Sequence, residues 1–579
     1  MDSYPSYFCV LIIAPSGATS TSPPSRQVKI YFQRRLRISL HVFHVVERQK
    51  LLNEASIKYF SVLHQADNAE KVEGVPFVLT GSAIDMSDFN LNPFIAFAGA
   101  FPTRIIPIAF LRKILYPPVP RNEDGSAKYA PYGMRKIEAL LAKEFGEENV
   151  VVAHPNDLER FVGPKTRAIG ISSMEPAGTG FVSRTYTSIV GFGGEPLASA
   201  EFRKLIKKPI LRKWGAKIIV GGSGAWQIER AKLREPYKID SVVMGEGEND
   251  AIELFRKASN GEKLPPLVKT ESPEPEKIPR IIHPSLFGVV EITRGCGRGC
   301  KFCSPTMRQC YSFPLDSILA EVRLNAKNGT RMITLATDDL FLYKSKGKFL
   351  PNREAIVSLI ESIATVPGVE FIQPAHASLA PVVYDPQMVE EIGPVLLEKA
   401  RWANDGVRHS SVEVGIETGS TRLMKEHMKG KMYPYKPEEW QDIVVKGIDI
   451  LNENGIYPLC TLINGLPDEE EEDALATLEL LDKLKRSIAF YVPLLFTSEE
   501  ECMLREARQA DLRGLTPLQW EIIATCWKYN VARFANTFQK SMIMFGSLFA
   551  YLLYYRWKHG KKVLSPILKF SGWEKFLKE

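Results

Sequence analysis

The sequence predicts an α/β protein built from two series of parallel strands that alternate with helices. Short apolar runs of strand length recur from about residue 76, and amphipathic helical segments separate them. A stretch rich in Pro, Glu and Lys at residues 261–286 divides the alternation and is expected to be a linker. With 45% hydrophobic and 24% charged residues, the 579-residue composition is typical of globular domains. We therefore expect α/β domains at residues 76–260 and 287–497.

The first series has strands the length of those buried in parallel sheets. These are Phe77–Thr80, Val150–Ala153, Ala168–Ser172, Lys217–Val220 and Ser241–Met244. Helices are expected between them at Tyr132–Phe145, Leu197–Trp214 and Asp250–Ala258. Ligands of such sheets bind at the carboxyl ends of the strands. Here those ends read Gly-Ile-Ser-Ser-Met at 170–174, Gly-Gly-Ser-Gly at 221–224 and Gly-Glu-Gly-Glu at 245–248.

The second series predicts an open, partial barrel. Its strands are expected at Gly288–Thr293, Met332–Ala336, Val369–Gln373, Ser411–Ile416, Tyr457–Asn464 and Ser487–Val492. Its helices are expected at Pro314–Asn328, Asn352–Ala364, Asp385–Glu398, Thr421–His427, Glu438–Glu453 and Glu470–Leu484. Five or six strand–helix units are too few for a closed eight-stranded barrel. The remainder, residues 498–579, is expected to be helical.

The two ends of the chain carry less information. Residues 1–75 are expected to be a basic, partly disordered extension. Ser541–Tyr555 is apolar, but its length of about 15 residues is short for a membrane span. A buried helix is the first interpretation, and a peripheral membrane contact supported by the basic tail after it is the alternative. The net charge of +7 is too weak to argue for nucleic acid, which we regard as an unlikely partner.

Three cysteines follow the first strand of the second series. Cys296, Cys300 and Cys303 have C-x3-C-x2-C spacing and are interleaved with glycines that let the loop bend around an inorganic cluster. Thiolates are the usual ligands of iron–sulfur clusters, and three of them leave one iron of a four-iron cluster open. A zinc site with Cys310 as fourth ligand is the alternative, although its spacing is unusual for zinc. A redox disulfide is a weaker one.

This spacing, the aromatic Phe302 before the third cysteine and the position after the first strand resemble the radical SAM superfamily. The resemblance implies a partial (β/α)6 barrel with a [4Fe–4S] cluster on Cys296, Cys300 and Cys303. The open iron would bind S-adenosylmethionine (SAM), and one electron would cleave SAM to a 5′-deoxyadenosyl radical that abstracts hydrogen from the substrate. An electron donor such as ferredoxin or flavodoxin is implied as a partner. Such oxygen-sensitive chemistry places the protein in the cytoplasm, with membrane association as an open alternative.

Other segments resemble the SAM-binding parts of the same superfamily. Residues 411–420, with Gly415 and Glu417, resemble the fourth-strand segment. Residues 462–470, with Gly465 and Pro467, resemble the fifth-strand segment, although Asp468 stands where the family has glycine. The candidate catalytic residues are Asp338 and Asp339 after the second strand and His376 after the third. Solvated carboxylates and a structural histidine are the alternatives.

The first domain resembles the Rossmann-like cobalamin-binding domain found in one subclass of the superfamily. The resemblance is carried by three strand ends, whose candidate cobalamin-binding residues are Ser172, Ser173, Gly221, Gly222, Ser223, Gly245 and Glu246. The first strand is not followed by D-x-H-x-x-G, so no histidine is placed to ligate cobalt. A degenerate domain that binds nothing remains the alternative.

The expected function is therefore that of a cobalamin-type radical SAM enzyme that methylates an unactivated carbon of a small molecule or lipid. Radical carbon–carbon bond formation or ring closure on a lipid, as in tetraether ring synthases, is the alternative. A non-catalytic cobalamin or redox sensor and a nucleic-acid-modifying enzyme are further alternatives. The methylthiolating branch is disfavoured because residues 76–295 contain no cysteine for its second cluster.

Overall fold

A computed structural model describes residues 72–539, except residues 104–107, 109–111, 113–114, 192–193, 309 and 405. Most of the expected N-terminal extension and the apolar segment Ser541–Tyr555 lie outside the described residues. Within the described ranges, none of the helices has the length and apolar character that a membrane span requires.

The first sheet has six parallel strands. They are β1 Phe77–Gly81, β2 Val150–Val152, β3 Ala168–Ser172, β4 Lys217–Gly221, β5 Ser241–Met244 and β6 Leu267–Lys269, in the spatial order β2-β1-β3-β4-β5-β6. Five of them are the predicted strands. The sixth, β6, lies inside the predicted linker. It is not fully buried and ends in Lys269, so it lacks the continuous apolar run of β2, which is equally short.

Helices cover both faces of this sheet, as parallel sheets require. They are α1 Tyr132–Phe145, α2 Phe181–Gly191, α3 Leu197–Ile206, α4 Ile210–Lys213, α5 Ala225–Arg230 and α6 Ala251–Ser259. Val78 packs with Phe202 in one apolar cluster, whereas its neighbour Leu79 packs with Phe255 in another. The segment predicted as one helix over residues 197–214 is divided in two, because Pro209 cannot donate the backbone hydrogen bond that a continuous helix needs.

The second half contains the predicted open barrel of parallel strands. Its strands are β7 Val289–Glu291, β8 Thr293–Arg294, β9 Tyr311–Ser312, β10 Met332–Ala336, β11 Phe371–Pro374, β12 His376–Ala377, β13 Trp402–Asn404, β14 Val407–Glu417, β15 Ile456–Asn464 and β16 Phe490–Leu495. β7, β10 and β11 form one sheet, and β12, β14, β15 and β16 continue it. The third barrel strand is interrupted after Pro374, which has no N–H for the ladder. Two antiparallel strands, β8 and β9, flank the cysteine loop.

The helices of the second half complete six strand–helix units and a C-terminal helix. They are α7 Leu315–Lys327, α8 Arg353–Ala364, α9 Leu379–Tyr384, α10 Pro386–Glu398, α11 Thr421–His427, α12 Trp440–Glu453, α13 Glu471–Lys483 and α14 Pro517–Gln539. Asn530 of α14 bonds both backbone groups of Tyr491, each at 2.7 Å, and so covers the open edge of β16. The fold class predicted from the sequence is confirmed, although residues 498–516 are loop and 3-10 turn where helices were expected.

Candidate active site

The cysteine loop follows the first barrel strand and is bent by glycines. Gly295, Gly297 and Gly299 have φ values of 71°, 66° and 78°, in the left-handed region that other residues rarely adopt. The loop is tied to neighbouring chain by backbone hydrogen bonds, for example from Cys296 N to Pro305 O at 3.3 Å and from Lys301 N to His427 O at 2.9 Å. Its conformation is therefore set before any metal binds.

The three cysteines share one cavity wall and are free thiols. Burial raises the pKa of all three, that of Cys300 to about 11, so that ligation must displace a proton from each. No three His, Cys, Asp or Glu side chains of the described chain are arranged around one point as ligands of a single ion. In a [4Fe–4S] cluster each thiolate binds a different iron, so three cysteines that share a cavity wall without converging on one point fit a cluster better than a single zinc ion.

Arg298, between the first two cysteines, holds the loop to the barrel. Its Nη2 donates to Asp339 Oδ2 at 2.7 Å and its Nη1 to Gly430 O at 3.1 Å. Asp339 is 2% exposed and also accepts from the backbone N–H groups of Phe341 and Ser378. The carboxylate of Asp339, a predicted catalytic residue, is thus occupied in positioning the loop.

A cavity of about 380 Å³ opens at the carboxyl ends of the barrel strands beside the three cysteines. Glu413, Gly415 and Glu417 of β14 line it, and a β-bulge between Gly415 and Glu417, where Glu417 has a φ of 57°, interrupts the regular alternation of the strand. A Cβ at position 415 would lie 2.0 Å from Glu417 Oε1 and 2.6 Å from Lys431 Nζ, so that only glycine leaves room for this pair. Lys431 donates to Glu417 Oε1 at 2.7 Å.

The fifth-strand segment forms a tight turn beside this cavity. Asp468 has a φ of 61°, so it adopts the left-handed conformation that the glycine of the family pattern would take. Aspartate tolerates this conformation better than most residues. Glu469 Oε2 accepts from the N–H groups of Gly465 and Leu466 at 2.6 and 3.0 Å and so closes the turn. Gly465 and Pro467 are not among the residues lining the cavity.

His376 and Asp338 both line the mouth of the barrel cavity. His376 Nδ1 lies 3.1 Å from Thr337 O, and its Nε2 lies 3.4 Å from Glu413 Oε2. Burial opposes protonation, but contact with Glu413 outweighs it and raises the pKa of His376. Burial likewise raises the pKa of Asp338. The mouth therefore holds a histidine biased towards its protonated form next to two carboxyl groups.

A second cavity, of about 290 Å³, lies at the carboxyl end of the first sheet. Six of the seven predicted cobalamin-binding residues line it: Ser172, Gly221, Gly222, Ser223, Gly245 and Glu246. Ser173 does not line it but is buried beneath, with no hydrogen-bond partner for Oγ in the described chain. Gly222 has a φ of 94°, and a Cβ there would lie 2.7 Å from Ser173 O. The backbone is thus exposed to a ligand where a side chain could not fit.

The carboxylate of Glu246 gives the sheet cavity a chemical preference. Both of its oxygens are buried without a hydrogen-bond partner among the described residues, although Arg294 Nη1 lies 3.4 Å from Oε1. Arg294 also pairs with Glu248 and Glu291, at 3.0 and 2.7 Å. One arginine faces three carboxylates, so a ligand rich in N–H donors would satisfy the excess. The amide side chains of cobalamin are such donors, and these residues fit that part of the cofactor.

Glu413, Lys431 and Arg294 are site residues that were not singled out in the sequence. Glu413 could have been found, because it precedes Gly415 and Glu417 at the two-residue period of a strand face. Lys431 and Arg294 could not, because their roles depend on partners that lie on other elements and meet them only in the fold.

Comparison with known proteins identifies similarity in the part of the chain that carries the cysteine loop. The family model described as the Radical SAM superfamily matches residues 290–481, which include the cysteine loop and most of the barrel. The tRNA-2-methylthio-N(6)-dimethylallyladenosine synthase of Thermotoga petrophila is 27% identical over 305 residues, covering 52% of this chain and 63% of that enzyme. The ribosomal protein uS12 methylthiotransferase RimO of Bacteroides fragilis is 27% identical over 223 residues, covering 38% and 45%. The chain thus spans less than two thirds of the length of either relative.

Among solved structures, the radical S-adenosylmethionine methyltransferase TsrM from Kitasatospora setae, with cobalamin and a [4Fe–4S] cluster bound, matches 74% of each chain. The TM-score is 0.49 and the sequence identity 14%.

Proposed function

Since residues 290–481 match the Radical SAM superfamily model, we propose that this chain methylates an unactivated carbon by radical SAM chemistry. The cluster would be held by the three cysteines, SAM beside it in the barrel cavity, and cobalamin in the sheet cavity. One observation carries the proposal: both cavities adjoin the cysteine loop. Arg294 and Arg308, on either side of the cysteines, line the sheet cavity, whereas Cys296, Cys300 and Cys303 line the barrel cavity.

When bound, the cluster supplies the electron that cleaves SAM to a 5′-deoxyadenosyl radical, and cobalamin supplies the methyl group. The chain's own task is to hold these groups and to keep water from the reacting carbon. Leu494, Leu495 and Phe496 form a buried apolar part of the barrel-cavity wall. Hydrogen abstraction would take place against this apolar wall.

His376 is the group that would handle a proton at the barrel mouth. Its Nδ1–H donates to the carbonyl of Thr337, which fixes the ring, and its Nε2 faces Glu413. Because contact with Glu413 raises its pKa, His376 is better suited to donate a proton than to accept one.

Methylthiolation is the second candidate, because both named relatives are methylthiotransferases. By their names these relatives act on tRNA and on a ribosomal protein, so they lend no support to a small-molecule or lipid substrate. Against methylthiolation, residues 76–295 contain no cysteine that could ligate a second cluster. Radical ring closure or coupling without methyl transfer would use the same barrel but would not need the sheet cavity.

A basic surface is formed by exposed lysines of two segments that both contact Arg298 of the cysteine loop, and it suits an acidic electron carrier. It consists of the exposed lysines Lys344, Lys346, Lys348, Lys425, Lys429 and Lys436. The first three lysines precede Phe349, whose ring lies 5.0 Å from the Arg298 guanidinium. The last three lie on either side of Gly430 in the sequence, and Gly430 accepts a hydrogen bond from Arg298. Lys348 and Lys429 form no salt bridge within the described ranges. A carrier of the ferredoxin or flavodoxin type would dock here by charge complementarity.

The deciding experiment is anaerobic reconstitution of the full chain with iron, sulfide and hydroxocobalamin, followed by metal analysis and an assay of SAM cleavage. We expect about four irons and one cobalt per chain, and a methylated product. Cys303→Ala should lose iron and SAM cleavage, whereas Cys310→Ala, at an exposed thiol outside the cavity wall, should lose neither.

The outcomes separate the candidate functions. A chain that binds iron but no cobalt would favour radical ring closure or coupling. An iron content equal to two clusters per chain would favour methylthiolation. A Cys303→Ala variant that still cleaves SAM, or a wild-type chain that binds the cluster but never cleaves SAM, would overturn the proposal in favour of zinc or a sensor.

A further inference from the structure

Lys431 has its ammonium group in the wall of the barrel cavity. Its side chain is 13% exposed and its partner Glu417 is 8% exposed. A buried charge is costly unless it is paired and hydrogen-bonded. The ammonium has three N–H donors, and Glu417 is its sole hydrogen-bond acceptor within the described chain. The pairing therefore leaves donors that can serve whatever occupies the cavity.

The backbone at this position packs directly against the cysteine loop. Gly430 O accepts a hydrogen bond from Arg298 Nη1, and a Cβ on Gly430 would lie 2.1 Å from Arg298 O. Lys431 follows immediately and lines the same cavity as the three cysteines. Burial lowers the pKa of Lys431, but Glu417 and then the thiol of Cys300 outweigh it, so the net direction is upward. The lysine therefore remains a cation beside the cluster ligands.

We propose that Lys431 is a positioning residue that sets the reduction potential of the cluster, with Glu417 limiting its effect. This inference rests on the proposed function, because it requires the cluster on the three cysteines. Reduction adds a negative charge to a site that already holds three thiolates. The potential of such a cluster depends on nearby charge, on hydrogen bonds to sulfur and on exposure. A fixed ammonium in a cavity with little water favours the reduced state, and the carboxylate of Glu417 opposes it.

The test is a redox titration of the reconstituted cluster in the full chain without SAM. Titanium(III) citrate would be the reductant, and the electron paramagnetic resonance signal of the reduced cluster the readout. Lys431→Met should make the potential more negative by at least about 59 mV, a tenfold change in the ratio of reduced to oxidised cluster for one electron. Glu417→Gln should shift it in the positive direction.

Two further variants serve as controls. Lys327→Met removes an exposed lysine of α7 that does not line the barrel cavity, and it should leave the potential unchanged. Lys431→Arg keeps the charge and should restore a value close to that of the wild type. Should Lys431→Met not retain iron, the double variant Lys431→Met/Glu417→Gln removes the pair without leaving a lone charge, and Glu417→Gln alone still tests the sign.

An unchanged potential, or shifts of the same sign for Lys431→Met and Glu417→Gln, would overturn the inference. If the pair were purely structural, the two substitutions would not shift the potential in opposite directions. This failure differs from failure of the proposed function. A wild-type chain that binds no cluster refutes the proposed function, whereas a wild-type cluster that is insensitive to both charges refutes only the role of Lys431.

Discussion

The guanidinium of Arg298 donates a 2.7 Å hydrogen bond to Asp339 and so joins the cysteine loop to the end of the second barrel strand. Both side chains are nearly inaccessible, at 5% and 2% exposure. Asp339 Oδ1 also accepts hydrogen bonds from the backbone N–H groups of Phe341 and Ser378, at 3.1 and 3.2 Å. The carboxylate thus links three segments of the barrel around the site where the cluster would bind.

Arg298→Met should destabilise the fold strongly. Removing one partner of a buried ion pair typically costs about 3–5 kcal/mol, because it leaves the other charge uncompensated. The matched control is Arg331→Met, since Arg331 pairs with Glu370 at the surface, where such pairs contribute about 0–1 kcal/mol. Chemical denaturation of the metal-free chain measures both. Equal, small effects of the two substitutions would show that the Arg298 pair does not hold the loop.

Gly222→Ala should reduce cobalamin binding at least tenfold. Its φ of 94° strains any side chain, and the added Cβ would meet Ser173 O at 2.7 Å in the wall of the sheet cavity. Gly215→Ala is the control, because Gly215 has a similar φ of 76° but no atom within 4 Å of the position that a Cβ would occupy. Both should lose about 1–2 kcal/mol of stability from backbone strain. Only Gly222→Ala should lose cobalt after reconstitution and desalting, and equal cobalt contents would contradict the assignment of the cavity.

The contact between His376 and Glu413 should stabilise the fold more at mildly acidic pH than at neutral pH. In the folded state the pKa of His376 lies above its ordinary value of 6.5. The stabilisation is therefore fully present at mildly acidic pH, just below the unfolded-state pKa of His376 and with the carboxyl still ionised, and is lost as the pH rises through the folded-state pKa. The difference in unfolding free energy between the wild type and Glu413→Gln should shrink over that range. His376→Gln should flatten the same dependence, and a difference that grows with pH would contradict the pairing.

Charge reversal at the basic surface should slow reduction by a protein carrier. Lys348→Glu/Lys429→Glu should lower the rate of cluster reduction by an acidic carrier at low salt at least tenfold, because steering by complementary charge is lost. Reduction by dithionite should be unchanged. Lys263→Glu/Lys277→Glu makes the same change of net charge at exposed positions on either side of β6. If this control slows carrier reduction equally, net charge and not a docking site is responsible.

Pattern and local chemistry accounted for much of the fold. Tyr132–Phe145 and Ala168–Ser172 were predicted with the bounds that the structure has, because the helix has an amphipathic pattern and the strand is a short, continuous apolar run. β6 was missed because its residues are partly or fully exposed and include Lys269, so it lacks the continuous apolar run that marks β2, a strand of the same length. The position of Asp468 also needed the structure, since the sequence alone did not say whether aspartate could replace glycine in that turn.

The sequence by itself determined the α/β class, the order of the strands along the chain and the three cysteines, because these depend on local periodicity and on the spacing of a few side chains. Only the tertiary structure decided what faces those cysteines. Lys431 reaches back to Glu417 on another element, and Arg294 meets Glu246 from the other side of the linker. Such pairs form where burial makes an unpaired charge costly, and burial is a property of the packed chain, not of any segment.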